Sequence, residues 1–320
     1  MTKELYTAMY HYTRDLKHSR FPEIRGMDYD LFAKQLDFFK ENFNVVTMEQ
    51  VIEAFNSKNG ELPEKALLLT FDDGYIDNFT VALPLLKERG MQGSFFIPGR
   101  SLKEHALLDV NKIHFILASA GVATLKADLL ERMNHYRGTE FEFPDNDTLY
   151  AEYGKAYNFD DGDTIFVKRM LQSALPERLR SIIATELFEK HVGVAEELFA
   201  RELYMNHDQI RFMKNEGMFI GLHGYDHYWM NRLTREQLAE DTTKALEVMG
   251  KFIDPKAWVI NYPYGSYSDE VVDFFEKSEG CVLGLSVERR LARIGEDNKF
   301  LIPRFDCNDY PPKGNFYEGK

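Results

Sequence analysis

Two acidic side chains stand side by side in Thr70-Phe71-Asp72-Asp73-Gly74, directly after the apolar run Ala66-Leu67-Leu68-Leu69. Ionised neighbours at this spacing repel, so the pair calls for a cation or a shifted pKa, unless it is only a solvated Asp-Asp-Gly turn. In His223-Gly224-Tyr225-Asp226-His227, two imidazoles lie four residues apart, a spacing that puts both on one face of a helical turn. Two histidines and a carboxylate from another strand make a ligand set that holds a catalytic divalent metal with positions open for water and substrate. A third segment, Asn261-Tyr262-Pro263-Tyr264-Gly265, bends sharply at its proline and glycine. Such a bend is either plain turn chemistry or a means of aiming a backbone N–H at a developing oxyanion.

The elements that must position these segments alternate short apolar runs with helical patterns, the sign of parallel strands joined by helices. Strands are predicted over Leu5–Tyr10, Ala66–Phe71, Gly93–Ile97, Met218–Leu222, Trp258–Tyr262, Cys281–Leu285 and Phe300–Phe305. Helices are predicted over Leu31–Phe43, from Thr47-Met48-Glu49-Gln50, on the Phe79/Leu83/Leu86 face up to Gly90, over Asp208–Glu216 up to Gly217, from Thr234-Arg235-Glu236-Gln237 to about Lys251, and over Asp269–Lys277. From 101 to 205 the alternation gives way to helical patterns around an acidic, aromatic patch at Phe141–Asp163. The expectation is an α/β domain formed by 1–100 and 206–320 with a mainly helical insertion at 101–205, which either caps the pocket or only packs.

Composition narrows the function classes. Lys+Arg 39 against Asp+Glu 52 leaves a net charge of −13, which disfavours a nucleic-acid partner because most of the surface would repel a polyanion. The N-terminal residues carry no long apolar stretch and Ile113–Leu125 is too short to span a bilayer, so no membrane span and a cytoplasmic location are expected. Cys281 and Cys307 cannot build a disulfide framework or a thiolate site and read as buried free thiols.

In order and placement, the three segments resemble those of the polysaccharide deacetylases, the NodB-like carbohydrate esterase family four. The resemblance covers about residues 66–100 and 206–306. It implies a distorted (β/α) barrel of about seven strands and hydrolysis of an N-acetyl, sometimes O-acetyl, group on a sugar by metal-bound water. Carried over, Asp73, His223 and His227 resemble the metal ligands, Asp72 the catalytic base, and Tyr264 the residue whose backbone N–H holds the oxyanion. Thr70 is expected to orient the aspartates.

Two positions depart from the family pattern. An arginine that usually opens the third motif and bonds the catalytic aspartate is Asn261 here, and Arg304 in Ile302-Pro303-Arg304-Phe305-Asp306 is the candidate replacement, since a guanidinium can fork onto a carboxylate. The histidine that commonly serves as general acid is missing, because no histidine follows His227. His11, at the end of the first predicted strand, is the replacement by position, with His114 second.

The expected activity is therefore metal-dependent removal of an N-acetyl group from a sugar or sugar-containing precursor, with zinc ahead of other first-row divalent ions. A deformylase or non-sugar amide hydrolase on the same site, and a noncatalytic metal-binding relative, are the alternatives. Tyr225, Tyr228, Trp229 and Tyr264 are candidates to stack on sugar faces.

Overall fold

The computed structural model describes residues 1–156 and 160–318. Residues 157–159 of the acidic patch, and 319–320 of the expected α/β domain, lie outside them. The chain divides into two compact units, one formed by Met1–Asp15, Gly26–His105 and Arg201–Lys320, the other by Leu16–Arg25 and Ala106–Ala200.

The first unit is a distorted (β/α) barrel. Its strands are β1 (Glu4–Tyr10), β2 (Ala66–Phe71), β3 (Ser94–Ile97), β4 (Phe219–Leu222), β5 (Trp258–Asn261), β6 (Cys281–Leu285) and β7 (Phe305–Asp306). From β1 to β6 each strand pairs in parallel with the next, starting with the unbroken register of Leu5 on Ala66 through Tyr10 on Phe71. The short β7 also lies parallel to β1, with Ala8 opposite Phe305, while Leu285 of β6 makes a single parallel bridge to Ile302. That irregular stretch closes the sheet where a continuous strand over Phe300–Phe305 was expected. Pro303 has no N–H to give a ladder, so only Ile302 and then Phe305–Asp306 pair.

β2 shows why the sequence folds this way. All six of its residues are buried, as a parallel strand covered on both faces requires. Its side chains alternate between two apolar clusters. Leu67, Leu69 and Phe71 pack in one with Phe32, Leu36 and Phe39 of the helix Tyr29–Asn42. Ala66 and Leu68 belong to the other, with Leu5, Phe96, Val259, Leu283 and Ile302. Period two then places Thr70 and Asp72 on the side of the second cluster, and the strand's C-terminal end delivers the two aspartates. The helices follow their caps: Thr47 with Gln50 and Thr234 with Gln237 form complete capping boxes, and Gly90, at φ 68°, ends Leu83–Arg89. Upstream of that helix, Phe79 sits in a π-helical stretch, Asn78–Ala82.

The second unit is helical, with Asp109–Ser119, Val122–Tyr136, Asn146–Tyr153, Gly162–Arg169 and Glu177–Val192 as its main helices. Phe21 packs edge-on against Phe115 and Phe199 within it. Among the described residues no helix is long and apolar enough to cross a membrane. Both cysteines are free and buried.

Candidate active site

Because the strands are parallel, the segments that follow β1, β2, β4 and β5 emerge at the same end of the barrel, where such folds assemble their chemistry. Asp73 Oδ1 lies 3.4 Å from His223 Nε2 and 3.2 Å from His227 Nε2, and all three side chains are buried. These separations suit ligands shared by one tetrahedral ion, whose donors at about 2.0–2.1 Å stand about 3.3 Å apart. The Nδ1 of His223 faces the backbone carbonyl of Asn261 at 2.7 Å. Donating there, the ring turns its Nε2 lone pair toward Asp73, the tautomer a metal ligand needs. Among the described residues Asp73 Oδ1 has no hydrogen-bond partner, although it is buried. One donor atom from each of the two imidazoles and the carboxylate lies within 4.8 Å of the others, a spacing that a single divalent cation fits.

The second carboxylate has different partners. Arg304, fully buried, forks onto Asp72 with Nη1 donating to Oδ1 at 2.8 Å and Nη2 to Oδ2 at 3.0 Å. Asn261 Nδ2 donates to Asp72 Oδ1 at 2.6 Å while Asn261 Oδ1 accepts from Arg304 Nη2 at 2.8 Å, so the amide closes a ring among the three side chains. Arg304 is itself fixed by Ser286 O at 2.8 Å and Thr70 Oγ1 at 3.2 Å. Thr70 thus orients the arginine and donates to Ala8 O, where the sequence suggested that it orients the aspartates. Burial pushes the Asp72 carboxyl up, yet the Arg304 charge, with His223 and His11, brings it below its ordinary value. At neutral pH it is a carboxylate.

The histidine segment is not a helical turn. It is an irregular loop in which Gly224 has φ 70° and His227 φ 58°, and that backbone path, not helical periodicity, brings the two rings together with centroids 4.8 Å apart. Asp73 at φ 71° and Tyr264 at φ 59° are also left-handed, so each motif carries one non-glycine residue in a sparsely populated backbone region. The ring of Tyr264 packs edge-on against His227 and stacks on Trp229 with centroids 4.3 Å apart. His11 Nε2 is 3.9 Å from Asp72 Oδ2, too far for a hydrogen bond, and the side chain is 39% exposed. His114 lies in the helical unit and lines a cavity there with Arg25, Asp160 and Lys168. Tyr225 is buried and donates to Glu104, a packing role.

Sequence reasoning missed Tyr75. Its hydroxyl donates to Asp73 Oδ2 at 2.5 Å, and its ring stacks on Tyr12. Burial, reinforced by the Asp73 charge, pushes the phenol well up, so it remains a donor. The sequence held only a weak signal for it, an aromatic two residues beyond a candidate ligand.

The family model described as polysaccharide deacetylase matches residues 59–142 and 156–279. A stretch of 39 residues is 51% identical to part of YxkH of Bacillus subtilis (strain 168), a curated protein provisionally named a polysaccharide deacetylase; it spans 12% of this chain and 14% of that protein. Among solved structures, the chain is similar to the Streptococcus pyogenes deacetylase PplD in complex with acetate, with a TM-score of 0.59 and 16% identity over 98% of this chain and 97% of that one. It is also similar to a de-N-acetylase from Aggregatibacter actinomycetemcomitans, with a TM-score of 0.54 and 17% identity over 94% of each chain. At these identities the structural matches show a common fold.

Proposed function

The chain belongs to the polysaccharide deacetylase family, and on that premise we propose that it is a metal-dependent hydrolase removing an N-acetyl group from a sugar or sugar-containing precursor. One observation carries the reading: a buried Asp73, His223 and His227 cluster beside a second carboxylate that Arg304 keeps ionised. A structural metal site needs only its ligands, and a second carboxylate buried beside them with its own arginine carries a desolvation cost that such a site has no use for. Next to a water to be activated, it is a base.

In this reading Asp73, His223 and His227 hold the ion, a donor set that suits zinc, the metal proposed here, as it suits other first-row divalent ions. When bound, the metal supplies Lewis acidity, polarising the acyl carbonyl and acidifying water. Asp72 accepts the proton of the attacking water, with Arg304 and Asn261 fixing its two oxygens so that no reorganisation is needed as the proton arrives. The backbone N–H of Tyr264, presented by its left-handed turn, donates to the oxyanion. His11, whose Nε2 is 3.9 Å from Asp72 Oδ2, gives a proton to the departing nitrogen as the C–N bond breaks, leaving acetate and a free amine, and the proton that Asp72 took from water then restores the histidine. The aromatic surface of Trp229 and Tyr264 lies beside His227, where a sugar face could stack.

Acetate release by metal-reconstituted protein from a panel of N-acetylated sugar nucleotides, free sugars and short oligomers tests the proposal. Release that Asp72→Asn abolishes supports it. No release from any of them by metal-loaded protein, with formate release from N-formyl analogues, would replace it with a deformylase.

A further inference from the structure

The loop that carries His223 and His227 has no helix or ladder of its own to hold two imidazoles in register. Its backbone is instead clasped from two sides. On one side Asp241, buried on the helix Arg235–Met249, accepts from the N–H of Tyr225 through Oδ2 at 2.9 Å and from the N–H of Asp226 through Oδ1 at 3.0 Å. On the other, the carbonyls of Gly224 and Tyr225 accept from the N–H groups of Gly99 and Arg100, both at 3.0 Å. Glycine at 224 is part of the fit, because its φ of 70° suits no side chain well and a Cβ there would stand 3.1 Å from Asp241 Oδ2.

We propose that Asp241 is a positioning residue for the His223 and His227 pair, a carboxylate that fixes the metal-ligand loop through its backbone without approaching the metal itself. This assignment rests on the metal reading of the site. The physical argument is one of restraint. Both Asp241 oxygens are used, each by one of two consecutive amides, so the carboxylate sets the orientation of two successive peptide planes between the two histidines. A charged acceptor forms stronger bonds to N–H than a neutral one, and since partners bonded directly to ligating side chains govern metal affinity by about 10- to 100-fold, a carboxylate acting one step further out, through the backbone, is expected at the lower end of that range.

The test is Asp241→Asn, nearly the same shape but with one acceptor oxygen, its NH₂ group facing an amide that also donates. Zinc affinity is measured by chelator competition and the site geometry by the visible absorption of the cobalt(II)-loaded protein, with Glu240→Gln, an exposed neighbour paired with Lys244, as control. The expected result is a fold unchanged by circular dichroism, metal binding weakened about tenfold or more, and a shifted cobalt spectrum, while Glu240→Gln matches the parent. Parent-like affinity and spectrum in Asp241→Asn would overturn the role of Asp241 and leave the metal reading intact. A parent that binds neither ion overturns the metal reading itself. Should Asp241→Asn fail to fold, amide exchange in the metal-free parent decides: slow exchange at Tyr225 and Asp226 supports the clasp, and exchange at the rate of unprotected amides overturns it.

Discussion

Replacing Arg304 with methionine removes a buried cation from a carboxylate that is itself 2% exposed. The guanidinium gives two bonds to Asp72 and one each to Asn261, Ser286 and Thr70, and methionine gives none. Among the described residues, what remains to the Asp72 carboxylate is the bond from Asn261 Nδ2. Removing one partner of a buried ion pair costs about 3–5 kcal/mol because the other charge is left uncompensated. The loss should depend on pH. In the parent, the lowered Asp72 pKa adds stability above the ordinary value of 3.8 that disappears as pH falls through the folded-state pKa. In Arg304→Met, burial, the largest influence, is opposed only by His223, His11 and the bond from Asn261 and pushes that pKa up, so the buried carboxyl takes a proton as pH falls and the deficit against the parent shrinks. Urea unfolding of the metal-free proteins at neutral and at mildly acidic pH measures both effects. Arg304→Lys keeps a charge but not the fork and should fall between the two. An Arg304→Met protein within about 0.5 kcal/mol of the parent at neutral pH, the range of an ordinary surface change, would refute the reasoning.

Tyr75→Phe deletes the bond to Asp73 Oδ2 and should weaken metal binding about tenfold with the fold intact, measured by chelator competition; parent-like affinity would remove Tyr75 from the site's support. Tyr264→Ala keeps the backbone N–H and should retain kcat to within about tenfold, whereas loss of an oxyanion donor costs about 100- to 1,000-fold, so a loss on that scale in Tyr264→Ala would mean that the side chain acts. In the helical unit, burial pushes the Asp160 carboxyl up, but bonds from Lys168 at 2.6 Å and from Arg25 bring it below its ordinary value. Its contribution is present above 3.8 and lost as pH falls through the folded value, so Asp160→Asn should flatten the acid limb of stability in thermal melts, and an unchanged limb would contradict this.

What the sequence made legible follows from how each feature is encoded. Apolar period and capping residues are local signals, and Ala66–Phe71, the Thr47 and Thr234 capping boxes and the strands before Asp72 and His223 could be read directly. Pairings between distant residues are not local. The ring among Asp72, Asn261 and Arg304 was approachable only because Asn261 stands where the family pattern places an arginine, which left a carboxylate without its partner. The shorter amide bridges both groups, and the guanidinium comes from a residue just before β7. The histidine loop misled because a four-residue spacing fits a helical turn and a clasped loop equally well, and what separates them is Asp241, a residue of the following helix that no local signal ties to the loop. The last strand was overextended because Phe300–Phe305 is apolar enough to be one, while Pro303 removes the N–H that continuity needs.

The most direct test of the account compares bound metal and acetate release in Asp73→Ala and Asp72→Asn. Asp73→Ala should lose the ion, while Asp72→Asn should keep it and lose acetate release. If both variants bind metal like the parent, or if Asp72→Asn hydrolyses substrate at the parent's rate, the assignment of ligand and base is contradicted.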